Sequence, residues 1–400
     1  MYKDTNILFV RTQALKANIW KYYVLRIMVK RLVWPILTIF LVRNQLSPTE
    51  IGIVFAVGVL IGLILEVPSG AIADRIGRKT CLIISMLGCA ASMFLFWLSH
   101  GFWGFLIANA LYWAAGSLWT GTHNALIYET LKELGRSHDI KKVFGMAVFI
   151  SQITTGVLFI AVPFIAKYSL SLPFLLNAIV YVGACILTTT LVEPQRSTSV
   201  KEKEVGKNFL GFKTFLTHKV LLSTGLFFGF IGGINGIMED YRQVYLDAIH
   251  IDIIYFGLIY CALRILVGVL GAYSYRIEKA IGTKATLLLI PATSLLAYAG
   301  LAIFNSYYGL LFIVLDGVQA GLTAPLEQEY LNRVINDSQR ATQLSIFNLL
   351  EHLIRAGATF IGGVAIDFGG VNFGFLIATI IFIICAPLLL MNFIKRMKFS

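Results

Sequence analysis

Ionisable side chains lie inside the long apolar stretches of this 400-residue chain. A charge at bilayer depth is costly unless it is paired or solvated, so each of these groups is a candidate functional residue. The acids are Glu239, Asp240, Asp316 and Glu351, and the bases are Arg26, Lys30, Arg31, Arg242, Arg264 and Arg355. A carboxylate held there can take up and release a proton when its access to water changes. The four acids therefore predict a proton-coupling site.

The cations of the first apolar stretch have no acid near them along the sequence. Arg26 and Lys30 are four residues apart, so they repel each other on a helix. Arg31 lies about 18 Å from the outer helix end at Arg43, near the bilayer midplane, whereas Arg26 is close enough to the inner face to snorkel. Lys30 and Arg31 therefore predict an anionic partner, either acids from elsewhere in the chain or a solute with a carboxylate or phosphate.

A structural interpretation of some charges stands beside the functional one. Glu239 and Arg242 are three residues apart, and Glu351 and Arg355 are four apart. At these spacings each pair can neutralise itself on one helix face. The four residues are therefore either local ion pairs or parts of a site.

Three other residues extend the predicted solute site. Arg264 adds a cation, Tyr241 an aromatic ring and Gln319 an amide. For Tyr241 the alternative is a role in packing or in the aromatic belt at the membrane surface. The bases outnumber the acids, which favours an anionic solute.

Patterns that carry enzymatic chemistry are missing from the sequence. It has no Ser-His-Asp or Cys-His arrangement, no metal-ligand spacing and no nucleotide-binding loop. Those patterns supply a nucleophile, a metal site or a phosphate cradle. We therefore expect neither an enzyme nor a bound metal or cofactor. The five cysteines all lie in apolar segments, where packing is their expected role.

The composition indicates which elements position these residues. The chain is 58% hydrophobic and 14% charged, with a mean hydropathy of +0.78, whereas a soluble domain is about 45–50% apolar and about 25% charged. The excess must face lipid, and runs of roughly 20 apolar residues span a bilayer. We expect an all-α integral membrane protein with twelve transmembrane helices. They are predicted at 20–43, 49–72, 80–99, 102–128, 143–166, 171–192, 221–246, 253–275, 284–304, 307–331, 341–366 and 371–394.

The placement of Lys and Arg predicts the orientation of these helices. With the N-terminus inside, the cytoplasmic segments hold 24 of the 33 Lys and Arg residues, and the outer loops hold Arg43 and Lys167. Because basic loops mark the cytoplasmic face, both termini are expected in the cytoplasm. These loops also explain the net charge of +12, so that charge does not indicate a nucleic-acid partner. Residues 1–19 are mixed and polar and do not resemble a signal peptide.

One polar stretch divides the chain into two parts. Residues 193–219 predict a cytoplasmic linker between an N-terminal six-helix bundle, 1–192, and a C-terminal one, 220–400. The two parts repeat at an offset of 205 residues, and a common offset indicates duplicated halves. The matched glycines are Gly52 and Gly257, Gly77 and Gly282, Gly104 and Gly309, and Gly116 and Gly321. Two pseudo-symmetric halves with a site between them form a transporter architecture.

The most specific motif closes the second predicted helix and forms the loop that follows it. The motif contains Gly70, Asp74, Arg75, Gly77 and Arg78. This stretch resembles the G-x-x-x-D-R-x-G-R-[KR] signature of the major facilitator superfamily. The resemblance implies two six-helix bundles that rock about a central cavity, lined by helices one, four, seven and ten. The cations of helix one could then face the acids of helix seven across that cavity.

The resemblance also assigns roles within the motif. It implies that Asp74, with Arg78, braces the two bundles on the cytoplasmic side, where Asp74 is stabilised by a helix N-terminus or by Arg78. Arg75 is either part of this gate or a marker of topology. Gly70 and Gly77 permit a close approach or a sharp turn. The fifth predicted helix lacks the Gly-Pro motif of many proton-driven drug exporters, which counts against that subtype.

These observations predict a proton-coupled secondary active transporter that moves a small polar or charged solute by alternating access. Export is favoured because the motif resembles that of many bacterial efflux proteins, although uptake permeases share it. The alternatives are an uptake symporter, a lipid or amphiphile flippase of the same fold, and a transport-inactive sensor. We expect a monomer in a bacterial-type cytoplasmic (inner) membrane. Its expected partners are the small-molecule solute, protons and membrane lipids, without nucleic acid.

Overall fold

A computed structural model describes residues 2–195, 214, 215, 217–335 and 340–397, and the regular secondary structure of these residues is helical. The helices are α1 (Tyr2–Met28), α2 (Leu37–Arg43), α3 (Pro48–Ile76), α4 (Arg78–Leu98), α5 (Phe102–Glu133), α6 (Ile140–Tyr168), α7 (Leu172–Thr189), α8 (Lys219–Ala248), α9 (Ile253–Ile281), α10 (Thr283–Ile303), α11 (Gly309–Val334) and α12 (Arg340–Arg396). The predicted linker, 193–219, lies largely outside the described residues and stays a prediction.

The first predicted helix, 20–43, is broken. α1 begins at Tyr2 and ends at Met28, and the helix resumes only at a 3-10 turn, Trp34–Ile36, before α2. Pro35 explains the break, because proline lacks an N–H and its ring clashes with the carbonyl four residues earlier. The prediction of one continuous helix was wrong, since it counted Pro35 as part of an apolar run.

One side chain of α7 bridges the break. Oδ1 of Asn177 accepts a hydrogen bond from the N–H of Leu32 at 3.0 Å, and Nδ2 donates to the carbonyl of Lys30 at 3.1 Å. Asn177 is fully buried. Backbone polar groups within a membrane must be satisfied by the protein itself. The asparagine thus replaces helical hydrogen bonds that the break removes.

Among the described residues, nine helices are long and apolar enough to cross a membrane. This number omits the broken first helix and α5, in which tryptophans, glycines and asparagines dilute the apolar residues. It also counts α12 once, although Gly369 and Gly370 leave the helical conformation and divide it. At 1.5 Å per residue an unbroken α12 would be about 85 Å long, more than twice the thickness of a bilayer core. Twelve helices stay a prediction. The broken first helix, α5 and a second half of α12 would bring the nine to that number.

The backbone preserves the sequence repeat. Shifted by 205 residues, the bounds of α3 and α4 coincide with those of α9 and α10. Gly77 before α4 has a φ of 99°, and Gly282 before α10 has a φ of 83°. Side chains disfavour this region, whereas glycine enters it freely. Both turns therefore require glycine, although the charged residues around them differ.

By their internal contacts the helices form two compact units. Unit 1 is Met1–Phe40 with Val57–Ser199, and unit 2 is Leu41–Ala56 with Val200–Ser400. In unit 1, α4 packs along α5 and α7. The aromatic core of this packing contains Phe40, Phe96, Phe105 and Phe174.

In unit 2, α8 packs most extensively against α12. A Cβ added at Gly233 would lie 2.6 Å from Cγ2 of Ile354, and one added at Gly236 would lie 2.7 Å from Cγ of Arg355. Small residues let membrane helices approach closely. The glycines of α8 therefore bring Arg355 of α12 against the charged segment of α8.

Candidate functional site

Two acids of α8 share one arginine of α12. Nη1 of Arg355 lies 2.6 Å from Oε2 of Glu239, and Nη2 lies 3.1 Å from Oδ1 of Asp240. The hydroxyl of Thr359 donates to the other oxygen of Asp240 at 2.8 Å. Asp240 is 3% exposed, so these partners must offset its loss of hydration. We call Glu239, Asp240, Arg355 and Thr359 the acid cluster; it carries one net negative charge when both acids are ionised.

A second ion pair joins α8 to α11. Nη2 of Arg242 lies 2.6 Å from Oδ2 of Asp316, and both side chains are buried. The guanidinium also lies over the ring of Tyr260 on α9, 5.4 Å from its centroid, a cation–π contact. The amide of Gln243 donates to the Tyr260 hydroxyl at 3.3 Å. This pair is electrically neutral.

Helix geometry explains why neighbouring residues of α8 reach different partners. Successive residues turn by about 100°, so Asp240 and Arg242 point roughly 160° apart. Asp240 therefore faces α12, and Arg242 faces α9 and α11. The alternative of local pairs, Glu239 with Arg242 and Glu351 with Arg355, was wrong. The ion pairs run between helices because the close packing of α8 and α12 brings Arg355 to acids on the other helix.

Glu351 lies one turn before Arg355, outside the acid cluster. It is half-buried, and its Oε1 occupies the space that a side chain at position 232, a glycine, would need. Within the described ranges Glu351 forms no ion pair. Its proton-coupling role stays a prediction, separate from the acid cluster.

The predicted solute contacts of unit 2 do not share one location. Tyr241 is fully buried, and its hydroxyl lies 2.9 Å and 3.0 Å from two backbone carbonyl oxygens. Gln319 is buried in α11 and donates to a threonine hydroxyl one turn further along at 2.7 Å. Arg264 is exposed on α9. Tyr241 thus joins α8 to two other backbone segments, and Gln319 is bonded within its own helix, whereas Arg264 lies on the surface of unit 2. Their role in solute binding stays a prediction.

In unit 1, Arg31 is buried at the break in the first helix. Its Nη2 donates to Oδ1 of Asn109 at 2.8 Å. The guanidinium lies 4.3 Å from the ring centroid of Tyr112 and 5.2 Å from that of Phe96. Lys30, beside it, is half-buried. Both cations follow the C-terminal end of α1, where the helix dipole favours positive charge, so the fold supplies a structural reason for them as well.

The motif loop is bound to two other segments of unit 1. The guanidinium of Arg78 makes hydrogen bonds of 2.7 Å and 2.6 Å to the carboxylate of Glu129 on α5. The backbone N–H groups of Arg78 and Lys79 each donate to the carboxylate of Glu193 at 2.7 Å. A carboxylate there caps α4 and complements its dipole. The stabilisation of Asp74, by Arg78 or by a helix N-terminus, stays a prediction.

The other motif residues lie on the exterior of unit 1. Gly70 is exposed on α3, and an added Cβ would meet nothing within 4 Å. Arg75 is exposed and Asp74 is half-buried. Within unit 1, then, the structure assigns packing functions to Gly77 and Arg78.

A further ion pair of unit 1 lies beyond the apolar spans. Nε of Arg11 lies 2.8 Å from Oε1 of Glu133, and the N–H of Gln195 donates to Oε2 at 2.6 Å. Burial raises the pKa of the Glu133 carboxyl, but the hydrogen bonds from Arg11 and Gln195 and the charge of Arg11 outweigh burial. The pKa of Glu133 is therefore lowered from its usual value.

Sequence reasoning missed the neutral partners of these charges. Thr359 and Tyr260 carry no signal, because threonine and tyrosine are common in membrane helices. Asn109 and Asn177 could have been found, since an amide inside an apolar helix is costly without a partner. The described residues contain no group of three or more His, Cys, Asp or Glu side chains that could hold a metal ion.

Two curated bacterial proteins are similar in sequence. The chain is 26% identical over 206 residues to the quinolone resistance protein NorA of Staphylococcus aureus, which covers 50% of this chain and 51% of NorA. It is 29% identical over 200 residues to the inner membrane transport protein YajR of Escherichia coli K12, covering 50% of this chain and 42% of YajR. The chain thus matches about half the length of these relatives or less.

Solved structures resemble the fold over nearly the whole chain. The nucleoside transporter NupG superposes with a TM-score of 0.77 at 14% identity, covering 97% of this chain and 99% of NupG. A bacterial homologue of the human lysosomal transporter Spinster, in an inward-facing and unoccupied conformation, gives 0.69 at 15% identity, with 96% and 97% covered. At such identities the likeness concerns the fold, and it confirms the predicted all-α membrane fold.

The family model described as Major Facilitator Superfamily matches residues 20–359. This match covers most of the chain and confirms the resemblance that the motif suggested. Members of this family are multi-pass membrane proteins that transport small molecules and are not enzymes. By this match and by its fold, the chain belongs to the major facilitator superfamily.

Proposed function

We propose that the chain is a proton-coupled secondary active transporter that exports a small polar or charged solute, with an anionic solute favoured. The observation that carries this proposal is the acid cluster, in which Glu239 and Asp240 both pair with Arg355. With both acids ionised the cluster has one more negative charge than positive, beside the buried side chain of Asp240. A proton on either acid removes that excess, so a proton is a natural ligand of the cluster.

Asp316 and Glu351 are the other candidates for the coupling proton. Asp316 is balanced by Arg242, so its protonation would leave a buried cation, which is the more costly change. Glu351 is half-buried and lies one turn from Arg355. We therefore rank Glu239 and Asp240 first, as a pair that titrates together.

The direction of transport and the solute rest on other observations. The name of NorA, a quinolone resistance protein, favours export, and that relative matches about half of the chain. NupG is called a nucleoside transporter, and its 14% identity carries no solute over. Lys30 and Arg31 in unit 1, and Arg264 in unit 2, are the cations that we propose for an anionic solute. Tyr241 and Gln319 stay predicted contacts of that solute. The runner-up functions are an uptake symporter and a lipid or amphiphile flippase.

The proposal also covers gating, the oligomeric state and the orientation in the membrane. Asp74 and Arg78 control access on the cytoplasmic side, with Arg78 held in place by Glu129. The chain works as a monomer in a bacterial-type inner membrane, with both termini in the cytoplasm. The excess of Lys and Arg in the segments on that side supports this orientation.

Everted membrane vesicles that contain the full chain test the proposal. With an imposed pH gradient, norfloxacin, uridine and benzoate are offered in turn as labelled solutes. We expect gradient-driven accumulation of at least one of them, and its loss in Asp240→Asn. Asp247→Asn is the matched control, because Asp247 pairs with Arg43 at an exposed site of the same unit and should leave accumulation unchanged.

The outcomes separate the candidates. Accumulation that persists after a protonophore collapses the gradient contradicts proton coupling. Accumulation only in right-side-out vesicles indicates an uptake symporter. Movement of fluorescent phosphatidylglycerol between the leaflets of liposomes, without transport of the three solutes, indicates a flippase.

A further inference from the structure

Unit 1 contains an arginine that no acid of the described residues neutralises. Arg26 of α1 is half-buried, and its Nη1 lies 3.1 Å from Nε2 of His123 on α5. Its Nε is buried and has no hydrogen-bond partner. No carboxylate of the described residues forms an ion pair with it. The guanidinium of Arg26 thus has a buried N–H group that no acceptor satisfies, and a buried donor without an acceptor is costly.

The partners of His123 determine its protonation state. Its Nδ1 lies 2.7 Å from the carbonyl oxygen of Trp119, which can only accept, so Nδ1 carries the hydrogen. Nε2 then has a free lone pair and accepts from Arg26, which can only donate. The imidazole is thus neutral. It stacks on the ring of Trp119 at 4.3 Å, with 3° between the planes, and this fixes the direction in which it holds the guanidinium.

The surface of α5 beside His123 leaves room for a ligand. Thr120, Gly121 and Asn124 are exposed there, and they lie within one turn of His123. A Cβ added at Gly121, or five residues earlier at Gly116, would meet nothing within 4 Å. Small and polar residues therefore lie on α5 beside the histidine that contacts the arginine.

We propose that Arg26 is the centre of an oxyanion-binding site in unit 1, with His123 as its positioning residue. The ligand is a molecule that carries a carboxylate or a phosphate, because two oxygens of such a group match the fork of a guanidinium. The inference rests on the proposed function and names the chemical class of its solute. A lipid headgroup carries the same chemistry, so the experiment includes a lipid arm.

The geometry also links anion binding to a proton. The charged and titratable groups that face His123 are Arg26 and Lys30 of α1, together with Tyr22 of the same helix. Protonation turns Nε2 into a donor, which ends the contact with Arg26 and places a second positive charge beside it. An anion can bridge the two cations. Because binding and protonation favour each other, affinity for the anion rises as the pH falls.

Thermal unfolding of the purified full chain in neutral detergent tests the site. Sodium benzoate and sodium phosphate are titrated against sodium chloride at equal ionic strength, and phosphatidylglycerol is added to the micelles in a separate arm. We expect benzoate or phosphate to raise the Tm. Arg26→Gln should abolish that rise, and Arg26→Lys, which keeps the charge without the fork, should weaken binding about tenfold.

Two further variants complete the design. Lys21→Gln is the matched control, because Lys21 lies on the same helix and donates to a backbone carbonyl at an exposed place; its anion response should equal that of the original chain. His123→Gln keeps an acceptor for Arg26 but cannot titrate. In this variant benzoate should still bind, with an affinity that no longer rises as the pH falls.

Equal responses in Arg26→Gln and the original chain would overturn the proposal, and so would a chain that none of the three probes stabilises. Stabilisation by phosphatidylglycerol alone, lost in Arg26→Gln, supports the oxyanion site and assigns it to a lipid headgroup. A chain that binds no anion yet accumulates norfloxacin overturns this inference alone. Anion binding without gradient-driven transport overturns the proposed function alone.

Discussion

Arg242 and Asp316 neutralise each other in a place with almost no access to water. Removal of one partner leaves the other as an uncompensated buried charge. We expect Asp316→Asn to lower the free energy of unfolding by about 3–5 kcal/mol. Replacement of both residues, Arg242→Met with Asp316→Leu, should recover most of that loss, because an apolar pair needs no charge partner. Chemical unfolding in detergent measures both effects, and losses that simply add in the double variant would contradict the pairing.

At the residue scale, the charged groups could be predicted from the sequence but their partners could not. An Asp or Arg within an apolar run is visible in any reading of the chain. The carboxylates that pair with Arg355 are determined by the close approach of α12 to α8. That approach depends on the glycines of α8, and the sequence does not show what these glycines contact. Neutral partners such as Thr359 were missed for the same reason.

At the element scale, the break between α1 and α2 depends on Asn177. In Asn177→Ala the N–H of Leu32 and the carbonyl of Lys30 keep only the hydrogen bond between them, at 3.0 Å, and each hydrogen bond lost with the amide is worth about 0.5–1.5 kcal/mol. We therefore expect a loss of roughly 1–3 kcal/mol in the free energy of unfolding. Asn305→Ala, which removes an exposed amide after α10, should cost far less. Similar losses in the two variants, measured by unfolding in detergent, would show that the bridge contributes little.

The pair Arg11 and Glu133 ties α1 to α5 and gives these helices a dependence on acid. Because the pKa of Glu133 is lowered in the fold, its contribution is complete above the pKa of an unfolded glutamate, about 4.3. The contribution is lost as the pH falls through the lower, folded value. Glu133→Gln should reduce the fall in Tm below about pH 4.5. The effect should stay within about 1 kcal/mol, since the pair is partly exposed.

A control for this pair is Arg136→Gln, which disrupts a nearby ion pair with Asp139 and leaves Glu133 in place. Its acid-dependent loss of Tm should match that of the original chain. An acid profile that Glu133→Gln leaves unchanged would mean that other carboxylates determine it.

The helices themselves were largely predictable, since apolar length alone locates most of them. The predicted repeat was also informative, because Gly77 and Gly282 adopt the same backbone conformation. The first helix was predicted incorrectly, because a hydropathy average is insensitive to the one proline that ends a helix. The long α1, which begins at Tyr2, shows that a polar segment can be helical when it packs against its neighbours.

At the scale of the whole molecule, the charge asymmetry predicts the orientation of every helix. Ser137 precedes α6 and Tyr168 ends it, so these positions should lie on opposite sides of the membrane. In a variant without the five native cysteines, Tyr168→Cys should react with an impermeant maleimide added to intact cells. Ser137→Cys should react only after the cells are opened. The reverse pattern would place both termini outside.

The fold class and the family were accessible from the sequence, because hydropathy, the repeat and the motif between Gly70 and Arg78 point the same way. The solute was not accessible. Solute specificity depends on side-chain positions around a cavity, and relatives with the same fold have names that refer to quinolones and to nucleosides.

The acid cluster also has an electrical consequence. Two carboxylates and one guanidinium leave a surplus of one negative charge, so the voltage across a living membrane exerts a force on the cluster whenever the cluster is displaced through the field. Moving one charge through 100 mV changes the energy by about 2.3 kcal/mol. A bound proton cancels this surplus. If the cluster moves through the field both when it is protonated and when it is not, the voltage would drive only the movement of the unprotonated protein. The movement of the protonated protein would depend little on voltage.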